Sequence, residues 1–571
     1  MSSEEQKEQR SISRRELLKG AVVGAAGVVA AGVLSGCAEA TTETVEVPVE
    51  VPVDAKPWLP EKWDREADVV IIGYGGAGAC AAISARQQGA TVLVIEKSPE
   101  IGMSSTFACS GSIRLPGTPF GRHADWTEQD FIDDFYLGGN GGISLETVTE
   151  MAPAWFEAAD WLDELGFPWL DADYAEELGI PRSYTDLGPD WISLWSGKKV
   201  DGRVGTGRDH WAFLHKTCEE LGVEVLVNTP GRKLIQDPFT REVLGIVAES
   251  GGKEIYIKAK QAVVMTCGSF SAGGGASDLS REFFINYISE CPAPIYPGGS
   301  PYNEGEGIKM AMAAGADLWH MRAIEWSRDG MRPPEFPAAF WLDFKAWSLM
   351  VVNKAGKRFK DEGVTYGHAK KYLEVLEVVD GGFPNTPSYY VFDEKTRLAG
   401  KIIMLARGPG RSSYSTYNCS RELYTVPEWS DDNSAEITKG WILKADTLAE
   451  LATKTGIDPA GLEEEVAKYN EYCANAADLE HFRSPGKLEP IDTPPYYSVE
   501  CVLNTINTQG GPKRNAKCQI IDTLGNPIPR LYGGGEFGSS HGQLYQYSNL
   551  GENIVGGMLI GRNAAEETPW S

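Results

Sequence analysis

Residues Ala67 to Lys97 read ADVVIIGYGGAGACAAISARQQGATVLVIEK, and nearly every position in that run has a structural duty. Ala67 and the apolar group Val69 to Ile72 have the length and composition of a short buried parallel strand. Gly73-Tyr74-Gly75-Gly76-Ala77-Gly78 follows as a G-x-G-x-x-G turn, and the small residues from Ala79 to Gln88 predict a helix. Thr91 to Ile95 makes the next strand, which ends in Glu96, 23 residues after Gly73. Gly73 permits a tight turn, Gly75 admits a pyrophosphate against the backbone, and Gly78 lets helix and strand pack closely. Free N–H groups at the helix start favour phosphate charge, and Glu96 can accept hydrogen bonds from both hydroxyls of a ribose. An ordinary βαβ unit with a Gly-rich turn is the plainer alternative. The acid in its place after strand, turn, helix and strand argues for a bound dinucleotide.

Beyond this unit, 571 residues leave room for two or more domains with ample core. Composition is ordinary for a globular protein, 42% hydrophobic and 23% charged, so the informative bias is in sign. Eighty acids face 53 bases, a net charge of −27. That argues against nucleic acid as a partner, because phosphates demand clustered Lys and Arg. It leaves a small anionic ligand open, since net charge says nothing about one pocket. Sixty-four glycines exceed the usual share of about 7% and suit close backbone approach to a large cofactor.

The N-terminus reads as address rather than fold. Ser13-Arg14-Arg15-Glu16-Leu17-Leu18-Lys19 is a twin-arginine export signature, followed by a small apolar run from Ala21 to Leu34. That run is too short and too rich in Gly and Ala for a membrane span. It ends in Leu34-Ser35-Gly36-Cys37, a lipobox-like sequence in which Cys37 would be lipidated; a cleaved, soluble exported protein is the alternative. The following AEATTETVEVPVEVPVDAKPW spaces prolines regularly and predicts an extended, semi-rigid tether. The expected location is the outer face of the cytoplasmic membrane, or the periplasm, with membrane contact through Cys37 alone. None of the ten cysteines stands in C-x-x-C or C-x-x-C-H spacing, so covalent haem is excluded and no metal site is expected. Cys80 and Cys267 lie in Gly/Ala-rich packing segments and read as buried thiols.

Further along, Leu145 to Gly166 carries apolar residues at helical spacing with Gly166 as its C-cap, and Trp155, Phe156 and Trp161 read as core. Asp209 to Leu221 predicts another helix and Val223 to Val227 a strand. Glu242 to Ala248 and Glu254 to Ala259 look like a hairpin, and Ala262 to Met265 like a separate buried strand running into Thr266-Cys267-Gly268. Asn303 to Gly307 opens a helix from Ile308 to Ala314. The middle, 319 to 503, changes character, with Pro-rich aromatic loops from Met331 to Trp341 and one acidic helical stretch from Asp446 to Ala476. Pro529 to Tyr532 returns to strand pattern before Gly533-Gly534-Gly535-Glu536, and Asn549 to Ala565 predicts a helix with small residues on one side. Because the two glycine-rich segments lie at opposite ends, one discontinuous cofactor domain with a middle insertion is expected.

The quoted run, Asn353-Lys354-Ala355-Gly356-Lys357-Arg358-Phe359, and GGGEFGSSHGQLYQYSNLGENIVGGMLIGRNAA from Gly533 together resemble the fumarate reductase/succinate dehydrogenase flavoprotein superfamily. The similarity spans about Ala67 to Ala565. It implies an α/β, Rossmann-type FAD-binding domain in two parts, 66–318 and 504–571, around an inserted α+β capping domain at 319–503, with a signal peptide at 1–36 and a tether at 37–65. It also implies noncovalent FAD. Gly73, Gly75, Gly76, Ala77 and Gly78 would line the pyrophosphate, and Glu96 with Lys97 the adenosine side. Ser104, Ser105, Thr106, Gly111, Thr266, Gly268, Gly535, Glu536, Asn549, Leu550, Asn553 and Ile554 would complete the cofactor site. Glu536 would sit near the ribityl chain. The helix starting near Gly551 would aim its N-terminus at the flavin, where it favours negative charge.

Departures from the family pattern carry the substrate reading. Where fumarate reductases place an arginine proton donor, this chain has Tyr366; where they hold a substrate carboxylate with a histidine, it has Asn507; their second arginine is Asn549. Losing charge-assisted partners of carboxylate makes a C4 dicarboxylate an unfavourable substrate. The replacements are similar to 3-ketosteroid dehydrogenases, which have a tyrosine in the Tyr366 register and a second tyrosine four residues before a glycine, the spacing of Tyr547 and Gly551. A phenol and a backbone N–H aimed at one oxygen polarise a carbonyl, and Tyr366 could move the proton at the carbon opposite the hydride. A structural tyrosine under the cap and an aromatic packed on the flavin stay open for these two positions. His541 and Tyr545 are weaker candidates, His368 near Tyr366 could tune or relay a proton, and His210 reads as structural. Trp326, Phe336, Phe340, Trp341 and Trp347 would give the substrate site an aromatic lining. The expected activity is reduction of a carbonyl-activated C=C bond in a small unsaturated substrate, with electrons from a membrane quinol or cytochrome partner. A ketosteroid-like dehydrogenase and a non-catalytic flavin relay or ligand-binding lipoprotein are the alternatives.

Overall fold

The computed structural model describes residues 58–109, 112–113, 115–116, 126–139, 141–167, 194–195, 207–272, 278–288, 295–297, 300–326, 329–336, 339–363, 382–403, 428–540 and 549–570. The export signature, Cys37, the tether as far as Pro57, Gly111, Tyr366, His368, His541, Tyr545 and Tyr547 lie outside them. Strand β1 (Arg65–Ile72) runs through the glycine turn into helix α1 (Gly76–Gln87) and returns as β2 (Val92–Ile95). Helix α1 starts three residues before the expected Ala79, because Gly75 is its N-cap and Gly76 to Gly78 are its first turn. Next come α2 (Leu145–Glu164), α3 (Gly207–Glu220), β3 (Glu224–Leu226), β4 (Gly231–Gln236), β5 (Val243–Ser250) and β6 (Lys253–Met265). The hairpin strand and the buried strand expected around residue 260 are thus one strand. Its first half pairs antiparallel with β5, and Ile257 to Met265 pair parallel with β1 across a register shift between Ala67 and Val69.

Strand β7 (Ile295–Pro297), helix α4 (Glu306–Ala313) and strand β8 (Ile324–Trp326) precede a second group of elements. These are β9 (Leu349–Asn353), β10 (Ser388–Asp393), β11 (Leu443–Ala445), α5 (Leu448–Thr455), α6 (Pro459–Ala474) and β12 (Tyr496–Cys501). The acidic stretch expected as one helix is two, broken where Gly456 takes φ +75° and Asp458 caps α6 through the N–H of Gly461. The chain ends with β13 (Leu503–Thr508), β14 (Gln519–Ile521), β15 (Pro527–Gly533) and α7 (Asn549–Ala565).

The main sheet runs β14-β15-β6-β1-β2-β3, with β5 and then β4 continuing off β6. Strands β15, β6, β1, β2 and β3 are parallel, which requires both faces to be covered. Val69, Ile71, Val92 and Val94 pack into one apolar cluster with α1, α2 and α7, while Val70, Ile72, Leu93 and Ile95 join another with α4 and β5. Trp155 and Trp161 are buried in the first cluster as expected. A four-stranded sheet, β9-β10-β12-β11, separates two further clusters drawn from residues 331 to 501. Phe336 and Phe340, expected to line substrate, instead stack at 4.6 Å within the first of these clusters, because the apolar face of β9 and β10 needs cover. The N-x-x-G-x-R-F motif holds this sheet's edge. Asn353 Oδ1 accepts from the N–H groups of Ala355 and Lys357, and Gly356 turns the chain at φ +73°. Arg358 then forks onto the buried carboxylate of Glu362 at 3.0 and 2.7 Å and reaches Asp478 at 3.0 Å.

A third sheet, β8-β13-β7, places Glu325 opposite Asn507 across an antiparallel pair, so both side chains leave the same face.

Candidate active site

The carboxyl ends of β2, β1, β6 and β15 lie side by side, and a cleft of about 860 Å³ opens along them. Its lining crosses the sheet from Glu96 after β2, past Gly73 and Thr266 after β1 and β6, to Gly535 and Glu536 after β15. Three strand spacings of about 4.8 Å make this an elongated site, at the place where parallel sheets bind ligands.

The glycine turn is shaped by contact as well as by flexibility. Gly73 adopts φ +100°, and a Cβ there would collide with the carbonyl oxygen of Thr266. Thr266 Oγ1 donates to Gly73 O at 2.9 Å and fixes the turn. A Cβ on Gly78 would strike Gly73 O, whereas one on Gly75 would meet nothing closer than 3.7 Å. Gly78 therefore serves packing, and Gly75 faces the cleft. Helix α1 begins at Gly75 with no side-chain cap and no acid in its first turn. Gly76 N–H goes to Thr106 Oγ1 at 3.0 Å, and the uncapped turn beyond it suits a pyrophosphate.

Glu96 is held for ribose. Its Oε2 accepts from Tyr74 N–H at 2.7 Å and its Oε1 from Ser98 N–H at 2.8 Å. Each oxygen keeps a further lone-pair direction for a hydroxyl donor. Lys97 lines the cleft beside it, but its ammonium donates to Glu304 at 2.8 Å and Glu306 at 2.6 Å.

Toward β15 the lining becomes acidic and amide-rich. Glu536 Oε1 accepts from Asn549 Nδ2 at 3.1 Å, and its Oε2 from Asn303 Nδ2 at 3.4 Å. Burial, reinforced by the charge of Glu325, pushes its carboxyl up to about 7 despite these bonds. A buried acid on the cleft wall matches the hydroxyls of a polyol chain. The uncapped helix start, the cleared glycine and this acid together fit a flavin dinucleotide. Arg514 is buried against Glu552, which also accepts from Ser540 Oγ, so α7 begins on a closed ion pair. Asn507 Nδ2 donates to Glu325 Oε2 at 2.7 Å, and Gln509 Nε2 donates to Asn507 Oδ1 at 2.6 Å.

The cleft thus gathers Gly73, Gly75, Gly76, Ala77, Glu96, Lys97, Ser104, Ser105, Thr106, Thr266, Gly268, Gly535, Glu536 and Asn553. Leu550 and Ile554, expected at the cofactor, lie instead in the apolar cluster between α7, α1 and the sheet, because the helix turns those positions inward. Gly551 is buried in the first turn of α7. Cys80 is fully buried, whereas Cys267 is only half-buried because it lines the cleft. His210 is buried with neither ring nitrogen hydrogen-bonded, and burial pulls it down to about 4, so it is neutral. Sequence reasoning missed Thr229, Ser300 and Asn303, which line the cleft, and Glu325, which accepts from Asn507 and acts on Glu536 by its charge. Asn303 was legible only as a helix opener; Glu325, a lone acid in the apolar run Ala323 to Trp326, was the overlooked signal.

Comparison with known proteins agrees with this geometry. The family model described as FAD binding domain matches residues 68–548. Digoxin reductase of Eggerthella lenta is 25% identical over 603 aligned positions, covering 98% of this chain and 98% of that protein. Vinyl phenol reductase of Lactiplantibacillus plantarum is 24% identical, covering 88% of this chain and 97% of that protein. The 3-ketosteroid delta1-dehydrogenase of Sterolibacterium denitrificans shares the fold with a TM-score of 0.67 at 20% identity, over 88% of this chain and 99% of that one.

Proposed function

The chain belongs to the FAD binding domain family, and from that premise we propose that it reduces a carbonyl-activated C=C bond in an organic substrate other than a small dicarboxylate. Its cofactor is FAD, and it is an oxidoreductase of CH–CH and C=C bonds. The observation that carries the substrate reading is the engagement of two amides: Asn507 and Asn549 each donate to a carboxylate of the protein. A dicarboxylate would meet acids where it needs cations.

FAD, held by the glycine turn, Glu96 and Glu536, would supply hydride chemistry at one carbon of the double bond. Tyr366 delivers the proton to the other carbon, and Tyr547 with the Gly551 N–H holds the carbonyl oxygen as negative charge develops there. The names of the two reductases above support reduction as the working direction. The cap at 319–503 excludes water over the substrate. The twin-arginine stretch and Cys37 support export and anchoring on the outer face of the cytoplasmic membrane. There NADH is out of reach, and a quinol-oxidising or cytochrome partner supplies electrons. Oxidation of reduced methyl viologen, followed with enones, cinnamates, steroids and fumarate, tests the proposal. Turnover of a neutral enone with little response to fumarate is expected; brisk fumarate reduction overturns it. Faster turnover of a saturated ketone with an oxidising dye would assign the dehydrogenase direction instead.

A further inference from the structure

Glu325 does more than sit near the cleft; it dictates the direction of the hydrogen bonds beside it. It is 1% exposed on β8, and a carboxylate there can only accept. Asn507, 6% exposed, must therefore turn its Nδ2 toward Glu325 and its Oδ1 away. Gln509, 1% exposed, must in turn give its Nε2 to that Oδ1. The last atom of the relay is then an acceptor by necessity. Gln509 Oε1 is buried with no hydrogen-bond partner. A buried amide oxygen without a donor is destabilising, so a donor on a ligand would recover that loss.

The relay adjoins the cofactor site. Gln509 O accepts from Ser539 N–H at 2.9 Å, three residues after Glu536. The charge on Glu325 is close enough to push the Glu536 carboxyl up. Two acids therefore bias this side of the site, and the Asn507 amide is turned with its Nδ2 onto Glu325.

We infer that Glu325 is a specificity-determining residue: it polarises the Asn507–Gln509 relay so that the site selects neutral substrates bearing a hydroxyl or N–H donor and rejects carboxylates. This rests on the substrate reading proposed above and names the residue and the group recognised. Replacing Glu325 by Gln lets both amides reverse, so that Gln509 presents Nε2 and the negative charge is gone. Replacing it by Asp keeps the acceptor.

The test uses the purified, FAD-loaded chain and ligand-induced changes in the flavin spectrum, a readout that needs no turnover. Three benzylideneacetones are titrated, with a para-hydroxyl, a para-methoxyl and a para-carboxylate group. The natural protein should bind the hydroxyl compound at least tenfold more tightly than the carboxylate, about 1.4 kcal/mol, with the methoxyl compound between. In Glu325→Gln that ratio should fall by tenfold or more, while Glu325→Asp should keep it. Equal affinities in the natural protein overturn the inference even where a variant fails to fold. An unchanged ratio in FAD-loaded Glu325→Gln also overturns it. Failure to reduce any of the three compounds would remove the enone-reductase reading, whereas the binding ratio would still judge Glu325.

Discussion

At Glu96, two backbone N–H groups orient a carboxylate whose remaining lone pairs face the cleft. Glu96→Ala should lower FAD affinity by roughly tenfold to a hundredfold, from about 1.5–3 kcal/mol per charge-assisted bond. FAD retained after gel filtration measures it, and undiminished occupancy would remove Glu96 from the ribose role. Glu536 offers a pH test. Its folded value of about 7 lies above the ordinary 4.5, so the cofactor-free protein keeps its full stability below 4.5 and loses it as pH rises through 7. At 1.36 kcal/mol per unit the loss approaches about 3 kcal/mol. Glu536→Gln should therefore raise the Tm of apoprotein at pH 8 far more than at pH 5. Equal shifts at the two pH values would count against burial of this carboxyl as the cause. Both residues could be picked from the chain; that Glu325 lies within electrostatic reach of Glu536 could not, because 211 positions separate them.

At the scale of elements, α7 lies against α1 without intervening side chains. A Cβ on Gly557 would come within 2.5 Å of Cys80 Cβ, and one on Gly561 within 2.6 Å of Ser84 Cβ. Ser84 Oγ adds a hydrogen bond to Met558 O at 2.7 Å. Gly561→Leu should force the helices apart at a cost of about 1–3 kcal/mol or more, read by urea unfolding, and should loosen FAD because α7 starts at the cleft. A stable, fully yellow variant would refute the close-packing account. The bounds of α7 match the sequence expectation because small residues recur on one side over four turns. The start of α1 does not, since glycines signal a turn in sequence and only the N-cap geometry reveals them as helix.

Across the whole molecule, the buried network of Arg358, Glu362, Asp478 and Arg483 ties β9 to the segment after α6. Glu362 also accepts from Val351 N–H at 2.9 Å. Glu362→Ala leaves two buried guanidiniums short of a partner and should cost about 3–5 kcal/mol, seen as an earlier unfolding step. Because the cleft lies on the other sheet, FAD should survive that step in partial denaturation. Simultaneous loss of flavin absorbance and of this sheet would contradict such independence. The 319–503 span announced itself by its change of composition, yet its aromatic residues were assigned to a substrate surface when Phe336 and Phe340 form its interior. Exposure of an aromatic depends on which sheet face it meets, and composition does not encode that.

By itself the sequence determined the parallel unit around Gly73, the acid at its end and the dinucleotide chemistry, since these follow from local spacing and from the steric demands of glycine. The family resemblance added the expectation that cationic positions are replaced. Only the tertiary structure decided what the replacements do: Asn507 and Asn549 are committed to Glu325 and Glu536. Hydrogen-bond direction in a buried relay is set by the group at its end, and that group is brought there by strand pairing across 182 residues of chain.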